Sequence, residues 1–120
     1  KEALEADERG SMVEEFLDTV LPMNWHAMNL GERLTFLDRD FQQEPLKEGM
    51  VRDRVCAQEI WCECFRRRES DFDHMKQREI YGILTQLPGW EPYEGSKKGQ
   101  LRFSLYGVKR AFVRSEDHLS

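Results

Sequence analysis

Six basic residues, Lys97, Lys98, Arg102, Lys109, Arg110 and Arg114, lie between positions 97 and 114 with no acid among them. Ammonium and guanidinium groups at that density can neutralise and hydrogen-bond phosphate; the alternative is a solvated hairpin, some of whose cations pair with Glu91, Glu94 or Glu116. The chain as a whole leans the other way, with 23 acidic and 18 basic residues and a net charge of −5. Residues 1–50 carry 12 acids and 5 bases, whereas residues 51–120 carry 11 acids and 13 bases. A modest overall balance therefore conceals a basic half, and it is the local field that attracts a polyanion.

Other reactive residue types are present in patterns that support less. Cys56, Cys62 and Cys64 are odd in number and bunched on one segment, which predicts reduced thiols in a cytoplasmic protein and no disulfide framework. Cys62 and Cys64 lack a second ligand pair, and His26, His74 and His118 are not at ligand spacing, so no metal site is expected. Glu59 and Glu63 stand one helical turn apart, the spacing of a carboxylate pair. With no third acid or histidine beside them, they are expected to cover a polar helix face rather than to act as acid and base. The pattern G-x-x-x-x-G-K-[ST] is absent, as are a dinucleotide fingerprint and a nucleophile elbow, so no cofactor and no catalytic residue is expected. No apolar run approaches membrane length and no signal peptide is seen.

The elements that must position the basic residues follow from periodicity and stop signals. Residues 1–10 read as a linker or the tail of a preceding segment, and Ser11-x-x-Glu14 as a capping box opening a helix with Val13, Phe16, Leu17 and Val20 on one face. A second capping box, Asn29-x-x-Glu32, starts a helix whose stripe is Leu30, Leu34, Leu37 and Phe41; Pro45 and Gly49 close this 11–50 helical part. Residues 50–55 alternate as a brief strand. Ala57, Ile60, Trp61, Cys64 and Phe65 then repeat at helical spacing. Ser70 or Asp71 is the expected N-cap of a further helix over 72–87, with Ile80, Ile83, Leu84 and Leu87 inward, and Pro88-Gly89 stops it. Residues 90–93 and 101–105 are expected to pair as a hairpin around the glycine-rich turn 94–99, with Tyr106-Gly107 a bulge and 108–114 a further alternating run. Residues 115–120 read as a flexible tail.

Helix, short strand, helix, turn, helix, hairpin predicts an α+β, mainly helical domain: a winged helix-turn-helix over 51–114 with an additional N-terminal helix. Its core would gather Leu34, Leu37, Ile60, Trp61, Ile80 and Leu84, and Trp25, Trp61 and Trp90 are expected inside. With Ile80 inward, the opposite face of its helix carries His74, Arg78, Tyr81 and Thr85, a set able to meet phosphate and base edges. Lys76 and Gln77 flank that face near the helix N-terminus. Arg66, Arg67 and Arg68 end the preceding helix, where they complement its dipole or reach phosphate. Lys97 and Lys98 would sit at the tip of the wing, with Arg102, Lys109 and Arg110 along its strands.

Several short strings, in order, carry a resemblance: Leu21-Pro-Met-Asn-Trp25, Arg33, Arg52-Asp53, Val55-Cys-Ala-Gln-Glu-Ile-Trp-Cys-Glu63, Arg78-Glu-Ile80, Leu84, Pro88-Gly-Trp90, Tyr106-Gly-Val-Lys-Arg110 and Arg114. On these residues the chain resembles the C-terminal region of virulence-associated protein E-like proteins, the phage and mobile-element ATPases of primase/helicase type. The resemblance implies a cytoplasmic module attached to the remainder of a replication ATPase polypeptide, with DNA as its partner and no active site of its own. The alternative partner is a protein, met through a docking or oligomerisation surface.

Overall fold

The computed structural model describes residues 2–38 and 49–115, with side chains from residue 8 onward. Phe41, Pro45, His118 and the tail at 116–120 lie outside the described residues. Four helices and two small antiparallel sheets form an α+β domain. Helix α1 runs Glu2–Asp18, α2 Leu30–Asp38 and α4 His74–Gln86, while α3, Ala57–Glu59, passes without a break into a π-helical turn, Ile60–Cys64. The strands are β1 (Arg54–Val55), β2 (Trp90–Pro92), β3 (Gln100–Phe103), β4 (Gly107–Arg110) and β5 (Phe112–Arg114).

Ser11 does not open a helix; it lies inside α1, where the run from Glu2 continues through Gly10. The packing face is as expected, with Val13, Phe16 and Leu17 buried, but Val20 lies beyond the helix end and is half exposed. At α2 the capping box forms reciprocally, Asn29 N–H donating to Glu32 Oε1 at 2.9 Å and Glu32 N–H to Asn29 Oδ1 at 2.8 Å. The phase of α2 is different from the expected stripe: its buried residue is Arg33, and Leu30 is exposed. An inward arginine on a helix is stable only against matched carboxylates, which α3 supplies. The N-cap of α4 is Asp73, whose Oδ1 accepts the Lys76 N–H at 2.9 Å, so that the helix starts later than Ser70 or Asp71 would have set it. A single 3₁₀ turn, Glu69–Asp71, fills the gap.

The main core joins Val13, Phe16 and Leu17 of α1 to Val55, Ile60, Trp61, Ile80, Leu84, Trp90 and Phe112. Trp25, Trp61 and Trp90 are all buried. Leu37 packs against this cluster from α2, and Leu34 is half-buried. Truncating Leu84, fully enclosed on α4, costs about 2–5 kcal/mol by the loss of transfer energy and the cavity left behind.

The sheets correct the expected hairpin. Strand β5 lies between β1 and β2, antiparallel to both, with Val55 opposite Phe112 and Trp90 opposite Arg114. The hairpin is β3–β4, with Phe103 opposite Gly107, and its turn is 104–106 rather than the glycine-rich 94–99. Gly107, read as part of a bulge, closes the turn at a φ of +79°, a conformation that an L side chain resists. Residues 93–99 instead form a loop held to the residue that joins β4 and β5. Tyr93 N–H donates to the Ala111 carbonyl at 2.9 Å, and Ala111 N–H to the Gly99 carbonyl at 2.9 Å.

Candidate functional site

On the β3–β4 hairpin, Gln100, Arg102, Val108 and Arg110 alternate onto one face, and Leu101, Phe103 and Lys109 onto the other. The second face is the inner one, since Leu101 and Phe103 pack with Cys56 and Ala111. Arg102 and Arg110 therefore stand in solvent, whereas Lys109 is half-buried beside Leu101. Lys97 and Lys98 are exposed in the loop before β3 and share a groove of about 360 Å³ with Arg110, Tyr93 and Ser96; Glu94 is its one acid. No salt bridge among the described residues occupies Lys97, Lys98, Arg102 or Arg110.

Helix α4 comes near the basic strand at Tyr81, within electrostatic reach of Arg110. Its ring packs against Phe112 of β5 at 5.7 Å, and its hydroxyl accepts a hydrogen bond from Gln77 Nε2 at 2.6 Å. Burial raises the Tyr81 phenol, while Gln77 and the nearby Arg110 guanidinium pull it back down. Tyr81 is thus partly inside rather than on the open face, but it joins α4 to the basic strand. Arg78, one turn before it, is exposed. His74 and Thr85 are exposed on the same helix, and the Thr85 hydroxyl is turned back onto the Gly82 carbonyl at 2.9 Å.

The 66–68 segment does not join that surface. Arg66 adopts a φ of +58° and ends the π-helical turn, its Nε donating to the Glu63 carbonyl at 3.0 Å and its Nη2 to Asp38 at 2.8 Å. Its guanidinium is committed to holding α2 and α3 together. Arg67 and Lys76 line a separate groove with Arg9, where Asp71, Asp73 and Glu79 balance their charge. Arg68 is exposed, with its carbonyl taking the Trp61 indole N–H at 2.6 Å. Arg114 is structural as well. Its Nε donates to the Arg52 carbonyl at 2.6 Å and its Nη2 to the Leu17 carbonyl at 2.8 Å, with the guanidinium stacked 4.7 Å over Trp90.

The largest departure from expectation is at Glu59 and Glu63, which are buried at 4% and 1% exposure rather than covering a polar face. They neutralise Arg33 and Arg52, themselves buried. Arg52 Nη1 donates to Glu59 Oε2 at 2.7 Å and Arg33 Nη1 to Glu63 Oε2 at 3.0 Å. The guanidiniums also stack on aromatic rings, Arg33 at 4.6 Å from Trp25 and Arg52 at 4.4 Å from Phe16. The turn of the hairpin docks on this cluster: the Tyr106 hydroxyl donates to Glu63 Oε2 at 2.6 Å, and Arg33 Nη2 donates to Ser104 Oγ at 3.0 Å. Desolvation, reinforced by Glu59, raises the Glu63 carboxyl, against which the Tyr106 bond, Arg33 and Arg52 act. Burial and the Glu63 charge push the Tyr106 phenol above its ordinary range.

No signal from helical periodicity marks this network, because charged residues at positions 59 and 63 look the same whether they face water or a buried arginine. The complementary count, two arginines and two glutamates placed inward on three elements, emerges only in three dimensions. The cysteines have no sulfur partner; Cys56 and Cys62 are buried. Among the described residues no group of three or more His, Cys, Asp or Glu is placed to hold a metal, and no helix is long and apolar enough to cross a membrane. No protein-family model matches the chain, and no curated protein sequence matches it.

Proposed function

We propose that this chain is a nucleic-acid-binding domain of the winged-helix type, a non-catalytic accessory module of a phage-type replication helicase or primase ATPase. The observation that carries the reading is the convergence of Lys97, Lys98 and Arg110 on one groove, all without salt bridges among the described residues, with Arg110 in electrostatic reach of Tyr81 of α4. The element order supports it: a strand, the helix pair α3 and α4, then strands that bring β5 between β1 and β2. In such a domain α4 is the helix presented to the groove of DNA, and Arg78 is its exposed reader. The parent ATPase rests on the sequence resemblance alone.

The binding would be dominated by phosphates, so the test is its salt dependence. Lys97→Ala combined with Lys98→Ala removes two contacts, which on duplex DNA flattens the slope of log K against log salt by about 1.8. Arg78→Ala is expected to cost about 1–3 kcal/mol on a preferred site and less elsewhere. A domain that shows no salt-sensitive binding to duplex or single-stranded DNA at low ionic strength overturns the proposal. The second reading, a protein-docking module, is favoured by the groove of about 930 Å³ between α1 and the start of α4. It combines Met12, Trp61 and Phe65 with charges of both signs, as a peptide partner would need.

A further inference from the structure

A second concavity, of about 460 Å³, opens where the 3₁₀ turn at Trp25–Ala27, the segment 50–54 and the end of β3 meet. Its volume lies in the range of small-molecule sites. It shares no lining residue with the Lys97–Arg110 groove. Four arginines line it, Arg33, Arg52, Arg54 and Arg102, against the lining carboxylates Asp53 and Glu59 and the Glu63 carboxylate bonded to Arg33 beneath them, a formal excess of one positive charge.

The two layers of this cleft have different duties. At the floor, Arg33 and Arg52 are buried at 2% and 3% exposure, and their Nε atoms, together with Arg52 Nη2, have no hydrogen-bond partner among the described residues. These N–H groups are closed off from solvent, and Glu59 Oε1 and Glu63 Oε1 beside them are likewise without a partner among the described residues, so the floor acts on a ligand through its field, which reaches further in a low-dielectric setting than in water. At the rim, Arg102 is exposed and free of any salt bridge among the described residues, Arg54 has only a 3.4 Å contact to its neighbour Asp53, and His26 is exposed. The rim can therefore touch a ligand directly, while the floor supplies the field. Leu21, Met50 and Val51 give the cleft an apolar side for the body of the ligand.

We propose that this cleft binds a phosphomonoester. The exposed Arg102 and half-buried Arg54 guanidiniums at the rim answer the charge of −1.5 to −2 that such a group carries near neutral pH, and its three acceptor oxygens suit several donors arranged around one point. The phosphate belongs either to a free nucleotide or to the 5′ end of a nucleic-acid strand; both sources present the same group to Arg102 and His26. The inference does not depend on the duplex-binding proposal, because Lys97, Lys98 and Arg110, which carry that proposal, do not line this cleft.

The experiment follows the indole N–H of Trp25 and the amides of His26, Arg102 and Ser104 by NMR, in the described chain at constant ionic strength. Inorganic phosphate, a nucleoside 5′-monophosphate, the parent nucleoside, and matched oligonucleotides with 5′-phosphate or 5′-hydroxyl ends are titrated. The expected result is a saturable shift with phosphate and the nucleotide, none with the nucleoside, and a loss of affinity of about tenfold in Arg102→Ala. Tighter cleft binding by the 5′-phosphorylated strand than by the free nucleotide assigns the strand end as the source, and the reverse order assigns the nucleotide. Arg102 is exposed, so its removal leaves the fold in place, and Lys97→Ala with Lys98→Ala serves as the control that leaves cleft binding unchanged. No saturable shift with either phosphate compound, equal shifts with the nucleoside, or an Arg102→Ala variant that binds as tightly as the parent overturns the proposal.

Discussion

Replacing Tyr106 by Phe removes one hydroxyl and keeps the ring, so it isolates the bond that fastens the hairpin turn to the buried ions. In the parent, Glu63 Oε2 accepts from both Tyr106 and Arg33, while Glu63 Oε1 has no partner among the described residues. Loss of the hydroxyl leaves a buried carboxylate held by Arg33 alone. A hydrogen bond to a charged group contributes about 1.5–3 kcal/mol, and because Tyr106 is only half-buried, water recovers part of that. The lower figure, about 1.5 kcal/mol, is the expected loss. With a urea dependence of about 1.5 kcal/mol per molar for a domain of this size, the unfolding midpoint should fall by about 1 M.

Two further readouts separate this reading from a generic packing defect. Amide exchange should quicken at Leu101, Phe103 and Lys109, whose N–H groups belong to the hydrogen-bonded pairs of the hairpin, while the β1–β5–β2 sheet keeps its protection. The Glu63 carboxyl should also titrate higher still, since the Tyr106 bond is what lowers it most. A Tyr106→Phe midpoint within about 0.3 M of the parent, with exchange unchanged in β3 and β4, refutes the idea that the turn is held through Glu63.

The raised Glu63 carboxyl has a sign of its own: the folded state keeps a proton that the unfolded chain has lost, so this group makes stability fall as pH rises from about 4.5 through its folded value. Urea midpoints measured across that window should show the decline in the parent and its absence in Glu63→Gln. Burial and the charges of Glu69 and Glu63 push the Cys62 thiol up to about 11, so its alkylation near pH 8 should be at least about tenfold slower in the folded protein than in urea. Gly99 has a φ of +65°, and a Cβ there would lie 2.9 Å from the Tyr93 carbonyl oxygen. Gly99→Ala should therefore cost about 1–3 kcal/mol in denaturant unfolding, with the Lys97–Lys98 loop displaced.

The elements that could be read from sequence were those with a local cause. Asn29 and Glu32 cap α2 because the two side chains and two N–H groups are all within one turn, and Ile80 and Leu84 face inward because α4 is long enough for its stripe to repeat. What escaped was set by long-range partners. Arg33 turns inward because Glu63, 30 residues away, is there to receive it, and Leu30 is left exposed as a result while Leu34 and Leu37 are half-buried. The hairpin turned at 104–106 rather than 94–99 for a similar reason. Glycine permits a turn in either place, but only the 104–106 turn brings Ser104 and Tyr106 onto Arg33 and Glu63. The same bonds limit what this hairpin can do: its turn is docked on the protein body, and the exposed cations are Arg102 and Arg110 on its open face and Lys97 and Lys98 in the loop before it. A duplex gripped by this hairpin would therefore be met along its open strand face and the loop before it, leaving the docked turn to the cleft beneath.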